Sequence, residues 1–527
     1  MATFSQAVHH LRNSDASALL AEMQRGIEKE GLRCTTNGSL SQQPHPRALG
    51  SALTHSSITT DYSEALLEFI TPVFNNASDT LGYLENLHKF SFQQMKDELI
   101  WPASMPCILD GELSIPIADY GSSLLGQLKH AYRHGLWHRY GRTMQAIAGI
   151  HYNFSVPEAL WPELQKIETD ESLKSLSLQD YKSVKYFALI RNFRRNSWLL
   201  LFLFGASPAV CESFLTGQEH QLNKFKEHTL YAPYATSLRM SDLGYQNNAQ
   251  SSLKVCYNSL SNYINTLSEA IDTSIPAYEE IGLQDGKGQF KQLNTNLLQI
   301  ENEYYSDIRP KRVSKNGEKP LEALDKYGVE YIEVRCTDVN PFLPLGISEQ
   351  QIHFLDLFLL HCLLEESPEL SEEEYNEIQS NQHKTVMEGR KPNLMLERKG
   401  QEISLSQWAE ELLEQMQPLV ELLDDVYKND DHSSCLQQQL NKVHRPELTP
   451  SARYMEELEQ QDLEFSEFTL QLAQRHAEYF SQQIAEDISE ELKQEATRSI
   501  EQQRLLEAES LASGQSFADY LADYLKR

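Results

Sequence analysis

Two glutamates stand two residues apart in Gly26-Ile-Glu28-Lys-Glu30, a run suited to a β-strand. Alternate side chains of a strand share a face, so both carboxylates point one way, about 6.5–7 Å apart. Paired acids of this kind either hold a divalent cation or form a solvated edge, and taken alone they favour the edge. Glu68 lies in the apolar run Ala65-Leu-Leu-Glu-Phe-Ile70, where an unpaired carboxylate is costly. A buried ion pair and a metal ligand are both open there. Just upstream, Asp61 and Glu64 have the spacing of a helix-capping pair.

The stretch Gln145-Ala-Ile-Ala-Gly-Ile-His-Tyr-Asn-Phe-Ser155 places Gln145, His151, Asn153 and Ser155 on one face. Ala146, Ala148, Ile150, Tyr152 and Phe154 fall on the other, which packs inward, so the polar face must meet water or a ligand. Tyr331-Ile-Glu-Val-Arg-Cys-Thr337 repeats the pattern, with Glu333 and Arg335 pointing together as a salt bridge or as an acid on metal beside a base on phosphate. A fifth strand-like segment, Asn294–Tyr305, leads into Ile308-Arg-Pro-Lys-Arg312. That basic cluster is unusual in so acidic a chain and suits a phosphate, with an inert surface run as the alternative.

Acids gathered from several strands, with one histidine, suit magnesium, which takes oxygen ligands and bridges nucleotide phosphates. Arginines nearby and no cysteine-nucleophile motif point to phosphoryl chemistry by charge neutralisation. The expectation from spacing alone is a metal-dependent site on a sheet that uses a nucleotide. Competing motifs fail. Gly121-Ser-Ser-Leu-Leu-Gly126 is followed by Gln127 and Leu128 rather than Lys-Ser/Thr, and no Gly-x-Gly-x-x-Gly or His-Glu-x-x-His occurs. Gly205-Ala-Ser-Pro-Ala209 lacks the second glycine of a hydrolase elbow.

The elements that must position these residues alternate between short strands and helices from about residue 17 to 400, with glycine and proline as punctuation. Beyond 401 only Gly514 remains, and Trp408, Leu412, Leu413, Met416, Leu419, Val420 and Leu423 recur at three- and four-residue spacing. Ser404 and Gln407 offer a capping box for that helix, and Ala452–Ser513 reads as further amphipathic helices. The acidic patch Glu365–Glu377 reads as low-complexity, and the stretch around Asn429–Pro450 as a polar link. The expected division is a catalytic region over 1–400 and an acidic helical region over 401–527 packed upon it.

The 527 residues are 40% hydrophobic and carry a net charge of −30 from 46 basic and 76 acidic side chains. Residues 401–527 hold 27 of those acids against 10 bases, so most of the excess is a solvated surface of the helical region. Such a surface repels phosphate backbones and argues against nucleic-acid binding. Met1–Leu19 has neither a basic start nor an apolar stretch, and the greasiest run, Trp198–Phe204, is far below the ~20 residues of a spanning helix. Seven cysteines without metal-type spacing suit a reducing cytoplasm. A cytoplasmic protein without a membrane segment is expected.

The same segments resemble the glutamate–cysteine ligases (γ-glutamylcysteine synthetases) of γ-proteobacterial type. The likeness runs through Gln24-Arg-Gly-Ile-Glu-Lys-Glu30, Ala48-Leu-Gly-Ser-Ala-Leu-Thr-His55, Ala65-Leu-Leu-Glu-Phe-Ile-Thr-Pro72 and Gly149-Ile-His-Tyr-Asn-Phe-Ser155. It continues in Phe204-Gly-Ala-Ser-Pro-Ala209, Pro233-Tyr-Ala-Thr-Ser-Leu-Arg239, Asp242-Leu-Gly-Tyr245, Ile308–Arg312, Glu330–Arg335 and Gly389-Arg-Lys-Pro392. Past residue 400 it is thin. The resemblance implies an α+β, glutamine-synthetase-like fold: a curved, mainly antiparallel sheet forming an active-site funnel, with helices packed outside and a helical C-terminal region.

Carried over residue by residue, it implies metal ligation by Glu28, Glu30, Asp61, Glu68, His151 and Glu333, by magnesium or alternatively manganese. Tyr132, Arg239, Tyr245 and Tyr305 resemble the cysteine pocket, and Gln145 and Asn153 would face glutamate. Arg133, Arg335, Lys311 and Arg312 would hold the phosphates of ATP. The implied reaction joins L-glutamate to L-cysteine with ATP through γ-glutamyl phosphate, the first step of glutathione synthesis. A monomer subject to feedback inhibition by glutathione is expected on the same ground. Two other readings stand beside it: the same chemistry with another amine acceptor, because fold and metals do not choose the nucleophile, and a non-enzymatic relative acting through its acidic helices.

Overall fold

The computed structural model describes residues 3–243, 253–315 and 318–526. Its organising feature is a wholly antiparallel sheet of seven strands: β1 (Gln24–Thr35), β2 (Ile58–Thr60), β3 (Leu66–Ile70), β4 (Glu98–Ile100), β5 (Ile150–Ser155), β6 (Ile308–Lys311) and β7 (Tyr331–Thr337). The order is β2-β3-β1-β5-β7-β6, with β4 pairing the far end of β1. β1 is long enough to serve three neighbours: its first half lies along β5, its middle along β3 and its last residues along β4.

Period-two alternation decides which face each side chain joins. Ile27, Lys29 and Arg25 of β1, with Ile150, Tyr152 and Phe154 of β5, are buried on the rear face. Behind them run α1 (Ala77–Gln94), α3 (Leu178–Phe204) and α4 (Glu349–Leu364); α4 is apolar on nearly every side, and α3 is buried along most of its length, Lys182, Lys185, Arg191 and Arg194 included. A buried network ties the layers together. Arg25 Nη2 lies 2.9 Å from Asp356 Oδ2 of α4, and the Tyr152 hydroxyl donates to Asp356 Oδ1 at 2.5 Å. Lys29 also turns to the rear, where its Nζ donates to His88 Nε2 at 2.7 Å while His88 Nδ1–H donates to the Leu84 carbonyl. Burial pushes this amine down to about 7.

The front face is roofed by α2 (Leu124–Tyr140), capped by the Ser123 hydroxyl, which accepts from Gly126 N–H. The predicted helix beyond 401 is α5 (Leu405–Tyr427), and all seven of its periodic residues are buried. Ser404 caps it, but the Gln407 side chain bonds Glu411 instead of closing a box. α6 (Phe465–Phe480) packs on α1, and Phe480 stacks on His88. The apolar side chains of α5 and α6 belong to the same buried cluster as the sheet. Two helices then reach the front. α7 (Glu486–Ser513) and α8 (Phe517–Leu525) lie against the segments that frame α2.

One expectation needs correction. Asn429–Pro450 is mostly helix, Asp431–His444, because Cys435, Leu436 and Val443 supply a buried stripe. The acidic patch beginning at Glu365 runs into a helix, Glu372–Glu388, capped by Ser371. Among the described residues no helix is long and apolar enough to cross a membrane. All seven cysteines are unpaired and six are buried.

Candidate active site

Strand register assembles the acids. Glu28 stands directly opposite His151, Glu30 opposite Glu68, and Glu333 opposite both Asn153 and Arg309. Ligand atoms of Glu28, His151 and Glu333 all lie within 4.8 Å of one another. His151 Nδ1 is 3.2 Å from Glu28 Oε2 and 3.8 Å from Glu333 Oε1, and its Nε2 is 3.8 Å from Glu30 Oε1. Asn153 Nδ2 donates to the other Glu28 oxygen at 2.9 Å. The five strand-borne positions predicted as ligands therefore share one patch of the front face.

Asp61 arrives differently. It is not a helix cap: its N–H closes a turn onto the Leu66 carbonyl between β2 and β3. Glu64 is occupied elsewhere, accepting from the His45 and Asp119 amides. Asp61 shares a recess with Glu30, Tyr132, Arg133, Gln145, Tyr305 and Arg335. Arg133, on α2, is held there by donating Nε–H to the Asp61 carbonyl at 2.6 Å and by stacking over Tyr120.

Electrostatics splits the acids into two kinds. Burial raises Glu68 well above the ordinary carboxylate range, and Glu28, Asp61 and Glu30 add to the effect. Glu30 is raised as well, by burial first and Asp61 next, against the pull of His151 and Arg239. Burial also opposes ionisation of Glu333, but Lys311, Arg335 and His151 outweigh it and hold this acid well below its usual range. Lys311 Nζ lies 3.4 Å from Glu333 Oε1 and Arg335 Nη1 lies 3.2 Å from Oε2. For Glu28, burial and Glu333 are overcome by the hydrogen bond and charge of His151, and it is lowered. Burial and mutual repulsion thus raise two of these carboxylates while neighbouring cations lower the other two, a crowding of negative charge that a cation would relieve.

Arg239 reaches the site from behind. Its guanidinium is buried and donates to the Arg335 carbonyl at 2.8 Å. It passes so close to Gly149 that a Cβ there would lie 2.1 Å from Nη2. The Gly149 N–H meanwhile donates to Glu30 Oε2 at 2.6 Å. Tyr305 stands between this arginine and the recess, its hydroxyl donating to Met240 Sδ at 3.1 Å.

Not every predicted residue is brought in. Arg312 turns away, donating to the Tyr327 carbonyl and lying 3.7 Å from Glu330. Its place is taken by Arg309, two residues from Lys311 on the front face and lining the recess. Alternation along β6 contained that signal. Tyr62, Tyr140 and Glu303 also line the recess; Tyr62 follows Asp61 directly, but nothing in its type marked it. The fifth segment is no strand: residues 292–305 are irregular with one turn of 3₁₀ helix, Glu301–Glu303. Gln145 belongs to a separate 3₁₀ turn, Thr143–Ala146, so it enters the recess beside Tyr132 and away from Asn153. Tyr245 lies outside the described residues.

The profile described as glutamate–cysteine ligase matches residues 8–385. A glutamate–cysteine ligase of Alcanivorax borkumensis is 51% identical over 529 aligned positions, covering 99% of each chain. One from Pseudomonas paraeruginosa is 53% identical over 509, covering 96% of this chain and 95% of its own. Likeness therefore extends through the helical region past 400, where the motifs alone were thin. The crystal structure of a glutamate–cysteine ligase from Francisella tularensis in complex with AMP matches with a TM-score of 0.88 at 36% identity, covering 96% of this chain and 97% of that one. An antiparallel acid-lined sheet, the motifs along it and these near full-length matches agree: the chain belongs to the glutamate–cysteine ligase family.

Proposed function

We propose that Glu28, Glu30, Asp61, Glu68, His151 and Glu333 hold magnesium, and that the front face of the sheet is where glutamate, cysteine and ATP meet. The supporting observation is the Glu28–His151–Glu333 triad, whose ligand atoms lie within 4.8 Å of one another. The residues fit such an ion: five carboxylates and one imidazole are the hard, mainly oxygen donor set that magnesium or manganese takes. The buried Asn153 Oδ1, without a hydrogen-bond partner among the described residues, adds a further oxygen. Bound cations offset the repulsion between the glutamate carboxylate and the triphosphate, so that the two can approach.

The chain is a glutamate–cysteine ligase. It forms γ-glutamylcysteine, ADP and phosphate through γ-glutamyl phosphate, which the cysteine amine attacks as phosphate leaves. In our reading Arg335, Arg133 and Lys311 place donors around the transferring phosphoryl group, where charge develops, and Arg309 joins them in place of Arg312. Tyr132, Tyr305, Arg239 and Tyr245 bound the cysteine side, and Asn153 faces glutamate. Gln145, set beside Tyr132, is better placed for the cysteine side than for glutamate. The enzyme acts as a cytoplasmic monomer inhibited by its pathway's end product, glutathione.

Coupled ADP release from the purified chain, with ATP, magnesium and glutamate and with or without cysteine, tests this reading. Cysteine-dependent turnover that falls on the order of 100-fold or more in Glu28→Ala or Glu333→Ala supports it, since even indirect disruption of a metal site costs 10–100-fold. Turnover with another amine but not with cysteine would sink the cysteine pocket, and full activity in both variants would sink the metal site.

A further inference from the structure

Helix α2 carries a second group of metal-ligating side chains, in a recess separate from the one lined by Tyr132 and Arg133. His130, His134 and His138 recur at four-residue spacing and so stack along one stripe of the helix. The Nε2 atoms of His130 and His134 face each other 3.1 Å apart. Two nitrogens on one tetrahedral zinc ion, each about 2.0–2.1 Å from it, would be about 3.3–3.4 Å apart. The pair already stands within a few tenths of an ångström of a chelating bite.

The orientation of His130 is set from behind. Its Nδ1–H donates to the Ala118 carbonyl at 2.8 Å, which fixes the tautomer and leaves the Nε2 lone pair pointing outward. Metal-bound histidines are held in this way, with the far nitrogen tied to a backbone oxygen. Burial, and next the neighbouring His130 and His138, push His134 down to about 4, so its ring is neutral near pH 7. Because His130 Nε2 is the acceptor, the Nε2–H of His134 donates to it, and that proton moves to His134 Nδ1 when a cation takes both Nε2 lone pairs. Both rings are half-buried in a recess that also holds the exposed Asp119, so a carboxylate and solvent are at hand for the remaining positions. With no metal, the contact is an imidazole–imidazole hydrogen bond.

We propose that His130 and His134 form a bidentate site for a borderline divalent transition metal, zinc or nickel, distinct from the oxygen-rich site on the sheet. Imidazole nitrogens suit such ions, whereas magnesium prefers oxygen. The two sites therefore sort cations by donor type.

Calorimetric titration of the full chain with zinc in a large excess of magnesium tests this, with His130→Gln and His134→Gln as variants and His138→Gln as a control. The expected result is one class of zinc site in the wild type that weakens at least tenfold in the first two variants and persists in the third. Zinc should likewise raise the melting midpoint of the wild type more than that of either variant. Unchanged zinc affinity and stoichiometry in His130→Gln and His134→Gln, with normal ADP release under magnesium, would overturn the proposal. Should those variants fold poorly, carbethoxylation of the wild type followed by mass spectrometry decides. Zinc should slow modification of the peptide bearing His130 and His134, and an unaltered rate there would overturn the site.

Discussion

Glu28 Oε2 and His151 Nδ1 face each other 3.2 Å apart across β1 and β5, as direct partners in strand register. Glu28 is held ionised and accepts from His151 Nδ1–H, while His151 Nε2 faces Glu30 Oε1 at 3.8 Å. One imidazole thus joins the two carboxylates of β1, and Glu333 of β7 closes the group from the far side. The arrangement depends on register, so a slip of one residue in β1 would send both Glu28 and Glu30 to the rear face.

Arg309 and Arg312 offer a clean contrast. Arg309→Ala should reduce kcat/KM for ATP by about 10²–10³, the loss expected when a preorganised donor to developing charge is removed. Arg312→Ala should leave it within about threefold: both arginines donate to backbone carbonyls, Arg309 to Asn302 and Tyr304 and Arg312 to Tyr327, but only Arg309 lines the recess. Steady-state ADP release on both variants checks this, and equal losses would remove Arg309 from the site.

Gly149→Ala places a methyl group where the Arg239 guanidinium lies, 2.1 Å from Nη2. Neither the buried arginine nor the strand end can yield freely, so overpacking should cost about 1–3 kcal/mol in urea unfolding. It should also raise KM for an amino-acid substrate, since Arg239 moves. A variant with wild-type stability and KM would show that Arg239 has room elsewhere.

Lys29 gives the fold a pH dependence of its own. Its folded-state pKa of about 7 lies below the ordinary 10.5, so the unfolded chain binds the proton more readily. Its stabilising contribution is therefore complete above the ordinary lysine range and is lost as pH falls toward 7. Relative to Lys29→Met, the wild type should gain on the order of 4 kcal/mol between pH 7 and 10. Urea unfolding across that range reads the difference, and parallel profiles would mean that Lys29 stays charged.

Helix α7 fastens the loop at Ser51 and the start of α2 by side chains. Ser499 Oγ accepts from Ser51 N–H at 3.0 Å, Gln503 Oε1 accepts from the Ser51 hydroxyl at 2.5 Å, and Ser510 Oγ accepts from Leu124 N–H at 3.1 Å. The double variant Ser499→Ala, Gln503→Ala should lose about 1–3 kcal/mol and exchange amide hydrogens faster over residues 51–56. Exchange unaltered in that loop would confine α7 to a surface role.

Glu28, Glu30, Glu68, His151 and Glu333 were legible because alternation along a strand is a local rule that needs no knowledge of the partner strand. Arg309 was legible by the same rule, yet the basic cluster drew attention to charge and away from face. Asp61 was not, since its direction comes from a turn closed by Leu66. The fifth segment looked like a strand, but its polar side chains bond backbone close by: Asn294 Nδ2 to the Gln299 carbonyl, and the Gln299 N–H to Glu303. Such local bonds compete with a ladder. The stripe of His130 and His134 went unread because its meaning rests on ring orientation, set by Ala118 from outside the helix.

The bonds from α7 to Ser51 and Leu124 span 448 and 386 residues. A ribosome that has completed residues 1–400 has made every acid and arginine of the sheet, but not the helix that pins the segments around them. Contacts so distant in sequence form late and are slow to close. The nascent enzyme should therefore emerge with its chemistry spelled out and its recess still loose, becoming competent only after α7 has docked.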